Sequence, residues 1–504
     1  MRGAKMASAL VSSNRAEVLK SVVLACVLGT AFGVPTARAG DTCQPHWQVL
    51  AGPNGVGVNN WANVPLIYSQ AVYDDGKGGG PALYAAGWME TAGGVTVSDV
   101  ARWDGSAWSA LAGPGGLIMF GSGSVTNLIA FNDGSGPALY ASGFFSSIGG
   151  MTVNGIARWD GTTWSALSGP GGVGVGPAGT GDVRAFAVFD DGSGPALYVG
   201  GNFTSIAGYP ATTIARWDGS TWSGPATGTN GTIWALTSFD DGAGPALYAG
   251  GSFITAGGVT VNNIAKWNGS SWSALAGPSG VGVGGNPQTV KSLTVFDDGS
   301  GPALYAGGGF ATAGGVTVNR VAKWNGSSWS ALAGPSGTGT GPSGFLNVEA
   351  LSVFDDGSGS ALYVGGQYTT AGGVVVNGIA RWNGSAWSGL ASPGGMGIAG
   401  TCCPTVFDLT PHDDGSGPAL FVGGSFLTVG GLTANGAAKW QGCAVSPPPC
   451  LADINGDGTL DFFDVQLFLS LYAAGNFAAD FTGDGTLDFF DVQAFLNLYA
   501  AGCP

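Results

Sequence analysis

Residues 437–442 read AAKWQG and residues 46–50 read HWQVL. The first opens a phrase that the chain repeats seven times, roughly IARWDG followed by WSAL, and the second is the ending that the last copy lacks. A row of independent units needs no such split, because each unit would carry its own complete phrase. A circle of units does need it: the first and last elements must share one sheet if no strand edge is to be left unpaired.

Landmarks within the repeat hold their register. The Trp of the phrase recurs at Trp103, Trp159, Trp217, Trp267, Trp324, Trp382 and Trp440, and the Leu of PALY or its variants at Leu83, Leu139, Leu197, Leu247, Leu304, Leu362 and Leu420, with both series spaced by 56, 58, 50, 57, 58 and 58 residues. Insertions therefore fall outside the segment between the landmarks. A period of this size suits a four-stranded unit. In the third copy the expected strands are Val183–Phe189, Ala196–Phe203, Thr213–Asp218 and Thr221–Ser223, apolar or β-branched runs punctuated by Asp, Gly, Pro and Ser. DDGSGP supplies the first hairpin turn and DGxxW the last, with residues that tolerate positive φ. Trp and Phe are expected to fill the space between facing sheets. The predicted fold is all-β, a seven-bladed β-propeller over residues 40–443 closed by strand exchange, followed by a small α-helical calcium-binding module.

LYVGG at 197–201, RWDG at 216–219 and WSAL at 272–275 resemble the kelch repeat, with Trp where kelch blades commonly carry Tyr; the resemblance runs from His46 to Gly442. It implies a propeller that serves as a binding platform or as an enzyme scaffold.

Composition points to an exported, folded chain. Ninety-five glycines in 504 residues follow no collagen period, and 44% hydrophobic residues with 17 Trp supply a core. Residues 1–39 combine Arg2, Lys5, Arg15 and Lys20 with an apolar run over 22–32 and Ala37-Arg38-Ala39, the pattern of a cleavable signal peptide. VLAC, ending at Cys26, is the alternative, a lipoprotein-type cleavage box. No later stretch reaches membrane-spanning length. The full chain carries −15; residues 1–39 hold five Lys/Arg and one Glu, so the mature chain carries −19. That charge argues against nucleic acid and anionic membrane as partners, and the expected location is secreted or at the cell surface.

Six cysteines follow Cys26. Cys43 lies four residues before Trp47 and Cys443 three after Trp440, so shared hairpin register predicts a Cys43–Cys443 disulfide across the closure; Cys443 with Cys450 is the alternative. Cys450 and Cys503 flank the terminal module, residues 451–504, which follows a Pro-rich linker at 444–450.

That module holds the most specific chemistry. DINGDGTLDFFD at 453–464 and DFTGDGTLDFFD at 480–491 place oxygen ligands at loop positions 1, 3, 5, 9 and 12 and glycine at position 6, as calcium's oxygen-rich coordination requires. Thr459 and Thr486 at position 7 would offer backbone carbonyls. VQLFLSLY and VQAFLNLY follow with helical spacing. A paired loop and exiting helix resembles the type I dockerin, and the terminal AAGCP resembles GC-type dockerin-like anchors of secreted bacterial proteins. Carried over by position, Asp453, Asn455, Asp457, Asp461 and Asp464 would hold one Ca2+ and Asp480, Thr482, Asp484, Asp488 and Asp491 the other. Partner-reading positions 10 and 11 are Phe462-Phe463 and Phe489-Phe490, unlike the small or hydroxyl residues of cellulosomal dockerins; the resemblance thus implies a cohesin-like or cell-surface partner rather than a standard cohesin.

Enzyme chemistry finds little material. Only Glu90 and Glu349 remain as Glu after residue 39, and most Asp are repeat copies. Asp190-Asp191 and their equivalents recur in every unit, as Asn132-Asp133 in the second, and read as turn residues. Arg102, Arg158, Arg216, Lys266, Lys323, Arg381 and Lys439 read as solvated cations on the third strand. Trp234, Arg184, Lys291, Glu349 and His412 break the repeat but are scattered along the chain. The expectation is a non-catalytic recognition or structural propeller for a glycan or protein, tethered through its calcium module; the alternative is a divergent carbohydrate-active enzyme attached to a dockerin.

Overall fold

The computed structural model describes residues 44–443, apart from 54, 61, 63, 112–123, 177–180, 278–279, 286–287, 335–336, 342–346 and 401–402; after 450 it describes 452, 454, 460, 462–473, 479, 481 and 489–501. The signal segment, the linker, Cys43, Cys450 and Cys503 lie outside the described residues, as do ten of the twelve calcium-loop positions, all but Asp464 and Asp491.

The described chain is mostly β, and seven four-stranded antiparallel sheets carry it. In the third sheet Asp182–Asp190, Pro195–Asn202, Ile214–Trp217 and Trp222–Ser223 lie side by side in chain order, each within a residue of the expected strand. The seventh differs in one respect. Its first three strands are Thr405–Asp413, Pro418–Ser425 and Ala437–Gln441, and its fourth is His46–Val49, with Trp47 opposite Trp440 and Gln48 opposite Lys439.

Local chemistry explains why these strands form. In the third sheet the first Asp of the turn, Asp190, accepts from the backbone N–H of Gly192 and Gly194 at 2.8 and 2.9 Å. Both glycines have φ near +100°, which a side chain would resist. The second Asp pairs with the Arg or Lys of the third strand in all seven sheets, at 2.6 to 3.9 Å. This corrects the expectation of solvated cations: the distance between turn and third strand is short enough for each cation to find a carboxylate in its own sheet. At Asp298 burial pushes the carboxyl up, but bonds from Lys323, Ser300 and Tyr305 outweigh it and bring the pKa down to about 2.

Second strands such as Ala196–Gly201 are buried along their length, so both faces are covered by neighbouring sheets. The first glycine of each Gly-Gly pair allows that approach. A Cβ on Gly200 would stand 2.6 Å from the Ile233 side chain of the next sheet, and one on Gly423 in the last sheet would stand 2.6 Å from Ile67 of the first. Third and fourth strands face each other through a Trp pair, for example Trp217 with Trp222 at 5.0 Å and, across the split, Trp47 with Trp440 at 5.1 Å. Trp47 Nε1 donates to the Leu390 carbonyl of the sixth sheet at 3.2 Å, and Trp108 Nε1 to that of Leu50 at 3.4 Å.

Two small elements escaped the sequence reading, one of them a hairpin that follows the fourth strand, such as Ala276–Gly277 with Gly280–Val281. Between second and third strands a two-residue hairpin forms, Thr255–Ala256 with Val259–Thr260 in the fourth sheet, turning on Gly257 and Gly258. In the first, fifth and seventh sheets the incoming connector adds a third strand to it.

The C-terminal segment folds as two helices, α1 (Phe462–Ala473) and α2 (Phe489–Ala501). Positions 27 apart play equal roles: Phe468 stacks on Phe495 at 4.1 Å, Phe481 meets both edge-on, and Ala452 and Ala479 are buried beside them. The sequence duplication is therefore matched by a duplicated core.

Candidate functional site

Every first strand carries a β-bulge at the same place. Register against the second strand slips between Ile67 and Ser69, Val125 and Asn127, Val183 and Ala185, Ile233 and Ala235, Val290 and Ser292, Val348 and Ala350, and Val406 and Asp408. The skipped residues are Tyr68, Thr126, Arg184, Trp234, Lys291, Glu349 and Phe407, seven different side chains in seven near-identical settings. A bulge leaves its extra residue out of the ladder and re-aims the side chain. All seven are half-buried.

Six of the seven meet a neighbour from the adjoining sheet. Arg184 places its guanidinium carbon 3.9 Å from the Trp234 ring centre, and Lys291 Nζ stands 3.4 Å from that same centre. Lys291 Nζ also lies 4.0 Å from Glu349 Oε2, and Glu349 Oε1 accepts from Asn347 Nδ2 at 3.2 Å. Arg184 Nε pairs with Asp182 Oδ2 at 2.5 Å, and its guanidinium carbon lies 5.5 Å from the centre of the Phe144 ring. Tyr68 and Phe407, from the first and last sheets, lie 5.6 Å apart. The arrangement has a charged arc over sheets three to six and an aromatic arc over sheets seven and one, with Thr126 on sheet two between them.

Burial sets the electrostatics. It pushes the Lys291 ammonium below its ordinary pKa; Glu349 opposes that shift and Arg184 adds to it. Burial likewise lowers Arg184 against the pull of Asp182, raises Asp182 against Arg184, and raises Tyr68. Two cations on one indole are a costly arrangement in water-poor surroundings, and the cation–π attraction and two carboxylates offset that cost. Such an arc can hold a polar ligand by exchange of these contacts; the aromatic arc offers flat apolar surface.

The structure thus assembles four of the five repeat-breaking residues and leaves out the fifth. His412 takes the place of the aromatic that ends the other first strands and lies 5.8 Å from Phe421, as Phe189 does from Tyr198 at 5.6 Å; burial lowers its pKa. Tyr68, Thr126 and Phe407 were missed, although alignment of the seven copies on the preceding Ile or Val exposes the column. Asp190-Asp191 and their equivalents sit in turns, as repetition suggests.

Next to the bulge, first strands are stitched together by side chains. Ser69 Oγ accepts from Leu128 N at 3.1 Å, and Ser292 Oγ from Leu351 N at 3.0 Å. In the last sheet Asp408 holds this position and accepts from Gln70 N of the first sheet. Burial pushes the Asp408 carboxyl up to about 7, against the bonds from Gln70, Leu409 and Thr410.

In the C-terminal segment Asp464 and Asp491 sit in the first turns of α1 and α2 and are fully buried. No Lys or Arg follows residue 450. Asp464 and Asp491 are position 12 of the two expected calcium loops, whose other ligand positions lie outside the described residues. Phe462, Phe463, Phe489 and Phe490 open the two helices.

Among the described residues no helix is long and apolar enough to cross a membrane. No protein-family model matches the chain. No curated protein matches it either. Among solved structures it is similar to the extracellular domain of BT4673 from B. thetaiotaomicron, described once as a one-component and once as a hybrid two-component system. The two comparisons give 11% identity with TM-score 0.46 and 12% with 0.44, each covering 82% of this chain. The chain spans 42% of the length of those neighbours.

Proposed function

We propose that this chain is a secreted, non-catalytic recognition protein: a seven-bladed β-propeller that reads its ligand with the bulge residues and is tethered by a calcium-dependent, dockerin-like module. Ring closure is supported by contacts that recur from each sheet to the next and then from the seventh to the first. Asp133 and Asp191 meet Gly219 and Gly269 of the following sheets, as Asp414 meets Gly105 of the first. The signal-type segment at 1–39 supports export. In the tail, Asp453, Asn455, Asp457, Thr459, Asp461 and Asp464 would hold one Ca2+, and Asp480, Thr482, Asp484, Thr486, Asp488 and Asp491 the second. The four phenylalanines that open the helices would face a cohesin-like or cell-surface partner. The pairing of His46 with Gln441 brings the start of the first strand beside the segment that leads to Cys443, which supports a closing Cys43–Cys443 disulfide.

One observation carries the recognition reading: a scaffold that keeps its second turn Asp and its Trp pair in all seven copies, and its Gly-Gly in five, varies its bulge residue completely. Stability alone gives no reason for that contrast, whereas a surface that must match an asymmetric ligand does. The test is a glycan and peptide array run on the intact protein beside a panel of polysaccharide hydrolysis assays. Binding without turnover, lost in Trp234→Ala, is the expected result. Turnover of any glycan overturns the non-catalytic reading in favour of a carbohydrate-active enzyme.

A further inference from the structure

The third sheet departs from the other six in its last strand. Ten residues separate Trp222 from Thr232, where the next first strand begins, whereas eighteen separate Trp164 from Asp182 and Trp272 from Val290. Elsewhere the residue three beyond this Trp is a leucine; Leu50, Leu167, Leu275, Leu332 and Leu390 are at most 2% exposed, and a small hairpin follows each. Here Pro225 takes that place and no hairpin follows it. The shortened strand leaves a cleft of about 190 Å³ lined by Asp191, Ser193, Tyr198, Arg216, Ser223 and Trp267.

The polar groups there are held in place yet keep unused capacity. Arg216 is 8% exposed; its Nη2 donates to Ser193 Oγ at 2.7 Å and to the Gly194 carbonyl at 3.3 Å, while its buried Nε has no hydrogen-bond partner and lies 3.5 Å from Asp191 Oδ2. Tyr198 donates to Asp191 Oδ2 at 2.8 Å. In the first, second and fourth sheets the serine after the fourth-strand Trp donates to a third-strand carbonyl at 3.3 to 3.5 Å; Ser223 makes no such bond, and neither do Ser330 and Ser388 of the fifth and sixth sheets.

We infer that this cleft binds a single neutral pyranose ring, free or as a terminal unit of a glycan. Arg216 stands between Asp191 at 3.5 Å and Asp218 at 3.8 Å, so its cation is already compensated and the cleft holds no spare positive charge, which disfavours anions. Guanidinium and hydroxyl donors stand beside carboxylate and hydroxyl acceptors, the mixture that sugar hydroxyls require, and Trp267 adds an apolar wall. The volume admits one ring rather than a chain. This inference rests on the recognition reading only for its biological sense, since the site is distinct from the bulge residues.

Saturation-transfer NMR on the intact protein with glucose, galactose, mannose and N-acetylglucosamine tests it. At least one sugar should receive saturation from the wild type, and its affinity should fall at least tenfold in Ser223→Tyr. Ser273→Tyr, at the equivalent position of the fourth sheet, should leave it unchanged. If Ser223→Tyr fails to unfold cooperatively, Ser193→Tyr at the exposed rim replaces it. No transfer to any of the four sugars, or retained transfer in the rim variants, overturns the inference. Array binding lost in Trp234→Ala alongside silent monosaccharides would leave the bulge reading standing and this one fallen.

Discussion

Two positions occur seven times each in this molecule, and they behave in opposite ways. At the turn end of the sheets the second Asp is always Asp, always beside the cation of its third strand, and close to a Trp pair. At the opposite end of the same first strands the bulge residue is never repeated. The constant end does the same job in every interface, so its chemistry converges. The variable end meets its neighbours through a different pairing from sheet to sheet, so no single recurring contact fixes its chemistry.

The largest effect that this contrast predicts lies at the constant end. Trp47→Ala removes the ring that faces Trp440 and the bond to Leu390 in the closing strand, and should cost about 4 kcal/mol, within the usual range for a buried Trp; thermal unfolding of the variant measures it. Asp414→Ala strands the buried Lys439 and takes the acceptor from Trp103 Nε1, so about 3 kcal/mol should be lost in denaturant unfolding. A loss below 1 kcal/mol in either would mean that the constant end is not what holds the sheets.

Asp408 sharpens the comparison because it sits beside a bulge yet works for an interface. Its folded pKa of about 7 exceeds the ordinary value of 3.8, so the folded state holds the proton more tightly. The stability this contributes is fully present below pH 3.8 and is lost as pH rises through 7, with a slope of at most about 1.4 kcal/mol per pH unit. Asp408→Asn should therefore unfold later than wild type at pH 8 and show a smaller advantage, or none, at pH 4. Parallel pH profiles of melting temperature for the two proteins would refute the assignment.

The smallest effect on stability belongs to the variable end. Trp234→Ala, removing a half-buried ring from the bulge, should cost less than about 1.5 kcal/mol while weakening array binding at least tenfold. A loss comparable with that of Trp47→Ala would erase the distinction between the ends.

Much of the scaffold was readable from the chain. The split between AAKWQG and HWQVL announced the pairing of residues 46–49 with 437–441, and the four strands of the third unit were placed to within a residue, because turn residues and apolar runs alternate so regularly. The bulge was not readable from one copy: a two-against-one register is a relation between strands, and Val183-Arg184-Ala185 taken singly is an ordinary alternating strand. The ion pairs were missed for a similar reason, since Asp191 and Arg216 are 25 residues apart and only the hairpin geometry brings them together. The cleft at Ser223 had its signal in the period of 50 among periods of 56 to 58, a deletion whose consequence depends on what the neighbouring sheet leaves uncovered.

Both ends of the comparison presuppose that the first strand belongs to the last sheet. Amide hydrogen exchange measures this directly. The N–H groups of Gln48 and of its register partner Lys439 should exchange at the same slow rate, limited by unfolding of the whole array. Exchange of Gln48 at the rate of an unstructured tail, with Lys439 still protected, would contradict the account.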